Sequence, residues 1–411
     1  MKANHKMLTK SSPQRMTHRV RDRSSTLCVI AGFMAYAVAA VAYAAPPGMT
    51  REGAVTVMTF PDVRVQLVSD PIDYVNAQPL PLPVATNFSP AVAQSEMIEA
   101  LSAPVSASAV AATPGFSGGS VGDGKTRPVF LGKPAPALDA IAPQEFGTTK
   151  HPFSTARADG YSGATNKTYP FRAAGRLFFG IAGATYVCSG SLIKKGIVLT
   201  AAHCVSSFGD NIIYRDFRFV PGYKKGVGPY GNWTAKQVRV LTSYLNGSDV
   251  CAQSGVICRN DVALIVLNPQ SGALPGTNTG WYGFLFNGQG FTSNKLTHVT
   301  QIGYPVCLDN GEVMERNDSQ GFVSTAYANN TLIGSLMCGG ASGGPWIVNF
   351  GKRPRLTGTT NGSFAEPNMV VGVTSWGSTN TGPKQVGASP FLNTNIQNMV
   401  NAACTANPGN C

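Results

Sequence analysis

The sequence predicts a mostly β protein with a helix near its C-terminus. Charged residues make up only 13% of the 411 residues, and Gly (46) and Pro (28) are abundant. This composition favours strands bounded by turns over long salt-bridged helices. After residue 169, short β-type runs alternate with Gly, Asn and Pro clusters, as at 175–181, 191–201 and 261–267. Apolar residues take helical spacing at 391–400.

Residues 1–44 have the features of an export signal peptide. Lys and Arg residues precede an apolar run over residues 27–41, and Ala42-Tyr43-Ala44 then provides the small-x-small pattern of a cleavage site. The run is also long enough for an uncleaved membrane anchor. We expect cleavage, because the run is rich in alanine and ends at this pattern, which two prolines follow.

Residues 45–168 are rich in Pro, Ala, Ser and Thr. Such a composition buries too little apolar surface to offset the backbone entropy lost on folding, so we expect a largely irregular pro-segment or linker. One exception is the stretch 53–68, whose alternating Val and Thr residues predict a strand or hairpin. The folded domain is then expected over residues 169–411.

The formal net charge of +12 does not indicate a nucleic-acid-binding protein. Residues 1–44 hold 7 basic and 1 acidic residue, residues 45–168 hold 8 and 10, and residues 169–411 hold 17 and 9, which gives +6, −2 and +8. Half of the excess lies in the predicted signal. The rest is spread out, without a basic run interleaved with aromatics and without a recognised binding motif.

The cysteines fit an exported protein with disulfides. Cys28 lies in the predicted signal, and the even number that remains favours disulfides over metal ligands in an oxidising compartment. There is no Cys-x-x-Cys pair, so a zinc site is not indicated. A bridge from Cys188 to Cys204 would close a loop of about 15 residues and contribute roughly 3 kcal/mol in the chain-entropy model. The remaining cysteines are Cys188, Cys204, Cys251, Cys258, Cys307, Cys338, Cys404 and Cys411.

Two polar residues stand at the ends of apolar runs. His203 follows such a run and directly precedes Cys204, so a bridge at Cys204 would hold its imidazole in place. A general base needs a fixed position, and His is the side chain suited to proton transfer near neutrality. Asp261 begins another apolar run, where an unpaired charge would be costly. Paired with His203, it would fix the tautomer and stabilise the imidazolium.

The stretch 337–346, Met-Cys-Gly-Gly-Ala-Ser-Gly-Gly-Pro-Trp, surrounds Ser342 with glycines. A serine acts as a nucleophile when a base contacts it and when backbone N–H groups point at the oxygen on which charge develops. Glycine permits backbone conformations that are closed to other residues, so the amides of Gly340 and Ser342 can converge on one point. An ordinary glycine-rich turn would explain this segment if it stood alone.

Taken together, three motifs resemble those of the chymotrypsin-like serine peptidases. They occur in that family's order of His, Asp and Ser: Thr200-Ala-Ala-His-Cys204, Asp261-Val-Ala-Leu264 and Gly340-Ala-Ser-Gly-Gly-Pro345. The segments 172–178 and 303–305 are similar to the bacterial branch that includes the glutamyl endopeptidases. The resemblance covers about residues 169–400 and implies two six-stranded antiparallel β-barrels, with the site in the cleft between them.

The resemblance also implies roles for individual residues. Ser342 would be the nucleophile and His203 the general base, with Asp261 orienting His203 and Ser375 donating a hydrogen bond to Asp261. The amides of Gly340 and Ser342 would form the oxyanion hole. No metal or organic cofactor is implied. Family position and proximity imply three more bridges: Cys251–Cys258, Cys307–Cys338 and Cys404–Cys411.

The sequence departs from the family pattern at three positions. Ala341 stands where the digestive members have an aspartate, which predicts that removal of a pro-segment does not switch the site on through the usual ion pair. Leu336 stands where trypsin-like members carry the aspartate that reads Arg or Lys, and Thr374 stands where glutamyl-specific members carry a histidine. With Met337 beside Leu336, we expect cleavage after apolar or small residues.

The resemblance further implies that Ser375-Trp376-Gly377 pairs with the substrate as an added antiparallel strand. The expected function is a secreted or periplasmic serine endopeptidase, made as a precursor and acting as a monomer on proteins or peptides. Membrane contact is expected only if the signal stays uncleaved. The alternative is a non-catalytic binding protein on the same scaffold, whose +8 domain contacts acidic surfaces.

Overall fold

The computed structural model describes residues 48–61, 71–102, 113–132, 145–146, 151–160, 163–352, 366–378 and 384–411. The export signal predicted for residues 1–44 lies outside these residues. All described residues belong to one compact unit that spans Ala45–Cys411. Within them, no helix is both long and apolar enough to cross a membrane.

Short strands and one helix occur in the described part of the N-terminal segment. These are β1 (Met49–Glu52), β2 (Val55–Thr59), β3 (Gln78–Pro79), β4 (Val84–Ala85), α1 (Pro90–Ser102), β5 (Gly115–Ser117), β6 (Val129–Phe130), β7 (Glu145–Phe146) and β8 (Phe153–Arg157).

Six strands close the first barrel. The ring runs β9-β10-β11-β19-β16-β14 and returns to β9, with antiparallel pairing throughout. Its interior is filled by fully buried aliphatic residues such as Leu177, Leu199 and Ile265. The elements of this half are β9 (Ala174–Ile181), β10 (Ala184–Lys194), β11 (Ile197–Thr200), β12 (Ser206–Ser207), β13 (Ile212–Ile213), β14 (Arg215–Pro221), β15 (Val227–Gly228), β16 (Trp233–Leu241), α2 (Thr242–Leu245), β17 (Cys251–Gln253), β18 (Ile257–Cys258) and β19 (Ala263–Leu267).

The second barrel closes through two strand pieces that are separated by Thr374 and Ser375. The elements of this half are α3 (Gly276–Thr279), β20 (Gly283–Phe286), β21 (Leu296–Gly303), β22 (Glu315–Ser324), β23 (Asn330–Gly334), β24 (Pro345–Val348), β25 (Met369–Val373), β26 (Trp376–Ser378) and β27 (Gln385–Ala388). The ring runs β21-β22-β23-β27-β26, continues from β26 into β25, and returns through β24 to β21. With β25 and β26 counted as one, it has six strands, and the predicted fold class is confirmed.

The C-terminal helix is also present, as α4 (Asn398–Ala406), after a π-helical turn at Asn393–Gln397. Met399, Val400 and Ala403 are buried against the core of the first barrel. Single-turn 3₁₀ helices occur at Thr165–Lys167, Phe171–Ala173, Ala202–Cys204, Asp309–Gly311 and Pro408–Asn410. The eight cysteines form Cys188–Cys204, Cys251–Cys258, Cys307–Cys338 and Cys404–Cys411, the pairs that the resemblance implies.

The structure differs from the sequence prediction at residues 191–201, which form two strands and not one. The chain reverses at Lys195-Gly196, where the Gly196 amide donates to the carbonyl of Asn410 at 2.7 Å. A Cβ on Gly196 would lie 2.4 Å from Nδ2 of Asn410, so the close approach of the C-terminus requires glycine. The position of this turn depends on the contact between Gly196 and Asn410, which the periodicity of the local sequence cannot predict.

The N-terminal segment adds strands to both barrels. Of the stretch 53–68, Val55–Thr59 forms β2, which pairs with β1 and with Gln237 to Leu241 of β16. The fully buried Arg239 meets Glu52 at 2.6 Å and so ties this hairpin to the first barrel. On the second barrel, β8 pairs with β22 over five residue pairs. The assignment of residues 45–168 as a pro-segment or linker stays a prediction.

Glu315 is a buried acid that holds its proton near neutral pH. Burial raises its pKa to about 9, and the neighbouring Asp309 carboxyl adds to the rise. Because the group titrates near its ordinary value of 4.5 in the unfolded chain, the folded state binds more protons between these values. Stability contributed by this group is therefore lost as pH rises from about 4.5 towards 9.

Glu315→Gln should raise stability at pH 8 by on the order of 2 kcal/mol and leave it little changed at pH 4, because glutamine does not ionise. Urea unfolding at the two pH values measures this. Glu312→Gln is the matched control and should destabilise the protein, since the Glu312 carboxylate pairs with Arg176 at 2.5 Å and accepts a hydrogen bond from Tyr223. Equal pH dependence in wild type and Glu315→Gln would contradict this account of Glu315.

Candidate active site

His203 and Asp261 are brought together by adjacent strands. His203 lies in the single turn that follows β11, Asp261 lies just before β19, and Thr200 of β11 pairs with Ala263 of β19. Nδ1 of His203 is 2.8 Å from Oδ2 of Asp261, and the His203 amide donates to Oδ1 at 2.8 Å. A carboxylate acceptor keeps the proton on Nδ1, which leaves Nε2 as the basic nitrogen.

The Asp261 carboxylate is fully provided with donors. In addition to the two bonds from His203, the Ser375 hydroxyl donates to Oδ2 at 2.5 Å, the contact that the resemblance implies. The Asp261 amide donates to the Ser389 hydroxyl at 3.1 Å. These bonds offset the cost of burying a charge at the start of an apolar strand.

The Ser342 loop is fastened to the first barrel next to His203. The Ser189 amide donates to the Ser342 carbonyl at 2.7 Å, and the Ser189 hydroxyl donates to the Gly340 carbonyl at 2.8 Å. Ser189 directly follows Cys188, whose disulfide partner Cys204 adjoins His203. Sequence reasoning missed Ser189, because a small polar residue in a strand carries no distinguishing signal.

Ser342 is fully buried, and its hydroxyl has no hydrogen-bond partner among the residues that the structure describes. The structure therefore brings His203 and Asp261 into contact but does not form the predicted hydrogen bond between His203 and Ser342. Nε2 of His203 is 3.8 Å from Sγ of Cys204. A buried hydroxyl without a partner is costly in a folded protein, and such groups commonly mark functional positions.

Among the residues that the structure describes, two main-chain amides of the Ser342 loop also lack an acceptor. The neighbouring Ala341 and Gly344 amides donate within the loop, to the carbonyls of Cys338 and Ala341, whereas within the described chain the amides of Gly340 and Ser342 have no acceptor. Gly340 has φ +91°, and a Cβ there would lie 2.5 Å from the Tyr304 carbonyl oxygen. Both the backbone conformation and the close approach therefore require glycine.

The residues predicted to line a specificity pocket are apolar or uncharged. Met337 is buried and Leu336 half-buried, while Thr374 accepts hydrogen bonds from Gln301 and from Trp346. On the opposite side, the Ser375 amide pairs with the carbonyl of Gly387, next to the buried Val386. Sequence reasoning did not single out Val386, because β27 is short and lies far along the chain.

In the described part of the chain, two groups of side chains come close enough together to hold a metal ion: Cys188, His203 and Cys204, and Asp249, Cys251 and Cys258. Each group contains two cysteines that are bonded to each other. A disulfide sulfur is not a thiolate and makes a poor ligand. Neither group therefore has the donors of a metal centre.

Gly343→Ala should destabilise the protein by about 3 kcal/mol or more, because it combines an unfavourable φ with overpacking. Gly343 has φ +76°, and a Cβ would lie 2.0 Å from the Thr200 hydroxyl and 2.5 Å from the Ser189 carbonyl. Gly183→Ala is the matched control, with φ +85° and no atom within 4 Å of the new Cβ, and should cost about 1 kcal/mol. Equal shifts of the unfolding midpoint in the two variants would show that this loop is not tightly held.

Comparisons with known proteins identify the family of the chain. Residues 160–402, more than half of the chain, match the family Trypsin. Chymotrypsin-like elastase family member 1 of Rattus norvegicus is 29% identical over 216 residues, which cover 48% of this chain and 71% of that protein. The protease Anisep from Arthrobacter nicotinovorans is 26% identical with a TM-score of 0.45, covering 57% and 96% of the two chains. A Glu endopeptidase structure is 16% identical with a TM-score of 0.43, covering 64% and 98%. The chain therefore belongs to the trypsin family and is a serine endopeptidase.

Proposed function

We propose that Ser342, His203 and Asp261 carry out peptide-bond hydrolysis through an acyl-enzyme. Ser342 attacks the substrate carbonyl, His203 takes the hydroxyl proton at Nε2 and returns it to the leaving amine, and water then releases the acyl group by the same route. Asp261 holds the tautomer of His203 and stabilises the imidazolium. The observation that carries the proposal is the His203–Asp261 hydrogen bond beside a buried serine hydroxyl that has no partner in the described part of the chain.

The two unpaired amides complete this mechanism. When Ser342 adds to the carbonyl, negative charge develops on the carbonyl oxygen, and the N–H groups of Gly340 and Ser342, which have no acceptor among the described residues, donate to it. Removal of one such donor costs about 3 kcal/mol of transition-state stabilisation in comparable sites. For proton transfer, the Ser342 hydroxyl has to come within hydrogen-bond distance of Nε2 of His203, a contact that often tightens only when substrate binds.

An organofluorophosphate tests this function directly. The full chain should take up one equivalent on Ser342, as located by peptide mass spectrometry, and Ser342→Ala should take up none and lose at least about 10⁴-fold in hydrolysis of a peptide ester. Ser191→Ala is the matched control, because Ser191 is likewise fully buried with an unpaired hydroxyl and should label as wild type does. An inert Ser342 in folded and properly processed protein would favour the non-catalytic binding protein.

For specificity, we infer a preference for apolar or small residues before the scissile bond. Leu336 and Met337 provide no carboxylate for a buried Arg or Lys side chain, and an unpaired charge there would be costly. Val386 supports the same preference. Its Cγ1 lies 4.0 Å from the position of a Cβ on Gly377, so its side chain narrows the space beside residues 375–377, which we call the 375–377 wall.

Esters of Leu or Ala should therefore be hydrolysed with a kcat/KM at least about 10-fold higher than an Arg ester, which corresponds to about 1.4 kcal/mol. The measurement uses one leaving group throughout, so that only the side chain differs. A higher kcat/KM for the Arg ester would overturn the proposed preference.

We also propose that the protein is made as a precursor and acts outside the cytoplasm, either secreted or in a periplasm. The disulfides and the predicted signal over residues 1–44 support this location. Its substrates are proteins or peptides, and we propose that it works as a monomer.

A further inference from the structure

Residues 78–85, Gln-Pro-Leu-Pro-Leu-Pro-Val-Ala, lie along both sides of the candidate active site. At one end, β3 pairs with Tyr186 and Val187 of β10, and the Leu80 amide donates to the Val187 carbonyl at 3.0 Å. At the other end, β4 pairs with Gly377 and Ser378. The segment therefore passes from the β10 side of the Ser342 loop to the 375–377 wall, where substrate is expected to pair.

Between these ends, the segment contacts the groups that a substrate would need. The Gly377 amide donates to the Pro83 carbonyl at 2.9 Å, so this wall donor is already occupied. A Cβ on Gly377 would lie 2.8 Å from Cδ2 of Leu82, which places the Leu82 side chain beside Val386. A Cβ on Gly339, within the Ser342 loop, would lie 3.0 Å from the Leu80 carbonyl oxygen.

The direction of the segment is opposite to that of a substrate. Both β3 with β10 and β4 with β26 are parallel pairs. A peptide that adds to the 375–377 wall as an antiparallel strand would run the other way through the cleft. In the reversed direction, the carbonyl and the N–H of each peptide bond exchange places relative to His203 and to the amides of Gly340 and Ser342. The peptide bonds of the segment are therefore not positioned for attack by Ser342.

The composition of the segment supports the same role. Prolines at positions 79, 81 and 83 alternate with larger residues and favour an extended backbone before binding, which lowers the entropy cost of docking. Because proline has no backbone N–H, these three residues also remove three donors that would otherwise need hydrogen-bond acceptors in the cleft.

The end of the segment and the residues just beyond it are fastened to both halves, through β17 of the first and β26 of the second. Oε1 of Gln253 accepts the amides of Thr86 and Asn87, and Nε2 of Gln253 donates to the Val84 carbonyl at 3.2 Å. Phe88 packs with its ring centroid 5.6 Å from that of Trp376 and leaves Trp376 fully buried.

Helix α1 provides a further anchor. The Glu96 carboxylate accepts hydrogen bonds from the amides of Thr325 and Ala326 at 3.0 and 3.1 Å, in the turn after β22. The Ser89 amide donates to the Tyr327 hydroxyl at 2.7 Å. Together with the β1–β2 hairpin on the preceding side, these contacts hold residues 78–85 from both sides, and not by the cleft alone.

We propose that residues 78–85 are an intramolecular inhibitor that occupies the substrate cleft in the reverse direction, with Leu82 covering the entrance to the specificity pocket. The inference rests on the proposed function, because it assigns a regulator to that same site. It accounts for how a precursor whose Ala341 lacks the family's activating carboxylate can still be held inactive.

Leu82→Asp tests the inhibitor in the full chain. The charged side chain would face Val386 and loosen the segment, so Ser342 should react with an organofluorophosphate at least about 10-fold faster than in wild type. Leu101→Asp is the matched control, since Leu101 in α1 is 49% exposed, and it should react at the wild-type rate. Gln253→Ala removes only the hydrogen bonds of Gln253 to residues 84, 86 and 87, and should give a smaller increase in the rate of this reaction. This variant provides the test if Leu82→Asp fails to fold.

A second readout does not depend on catalysis. Hydrogen exchange of the peptide that contains Gly377 should be slow in wild type and Leu101→Asp, and fast in Leu82→Asp. Equal labelling rates in the folded variants would overturn the inhibitor and leave the proposed function standing. Absence of labelling in every variant would overturn the proposed function. If hydrogen exchange of the Gly377 peptide were also unchanged in Leu82→Asp, occupancy of the cleft by residues 78–85 would be overturned as well. Cleavage by Ser342 within residues 78–85 would contradict the reversed direction.

Discussion

The buried carboxylate of Asp261 is the constraint on which the rest of the site depends. It accepts hydrogen bonds from the main chain and imidazole of His203 in the first barrel and from Ser375 in the second. Because a buried charge that loses a partner costs several kcal/mol, the two barrels are favoured only in the arrangement that keeps all three donors in place. The same interaction therefore aligns the barrels and orients the imidazole.

Among the residues that the structure describes, polar groups without partners occur at several buried positions, and three such groups lie together on the Ser342 loop. The Ser342 hydroxyl and the amides of Gly340 and Ser342 lie on one loop, and within the described chain none of them has a hydrogen-bond partner. Ser189 and the left-handed glycines hold this loop in its conformation. A cluster of such groups on one loop agrees with a site at which a bound substrate supplies the missing partners, as a developing oxyanion would.

Much of this arrangement could be predicted from the sequence, because the motifs around His203, Asp261 and Ser342 are local and each is bounded by turn residues. The barrel strands and the C-terminal helix follow from periodicity. A strand or hairpin was predicted at 53–68, where β2 lies, but β3 and β4 could not be predicted, because they are two residues long and exist only through pairing with residues about 100 to 300 positions away. Ser189, Val386 and the turn at Gly196 were missed for the same reason, since each acts through a distant partner.

The two-sided fastening of residues 78–85 has a consequence for how the protein would lose its cover. The hairpin of β1 and β2 holds the preceding chain on the first barrel, and helix α1 holds the following chain on the second. A cut before residue 78 would leave the inhibitor covalently joined to the peptidase domain through α1, at a high effective concentration that dilution does not lower. A cut between α1 and residue 169 would break that link, and release would then require the hairpin, residues 78–85 and α1 to dissociate together. The position of the cut, and not only its occurrence, would therefore decide whether the cleft opens.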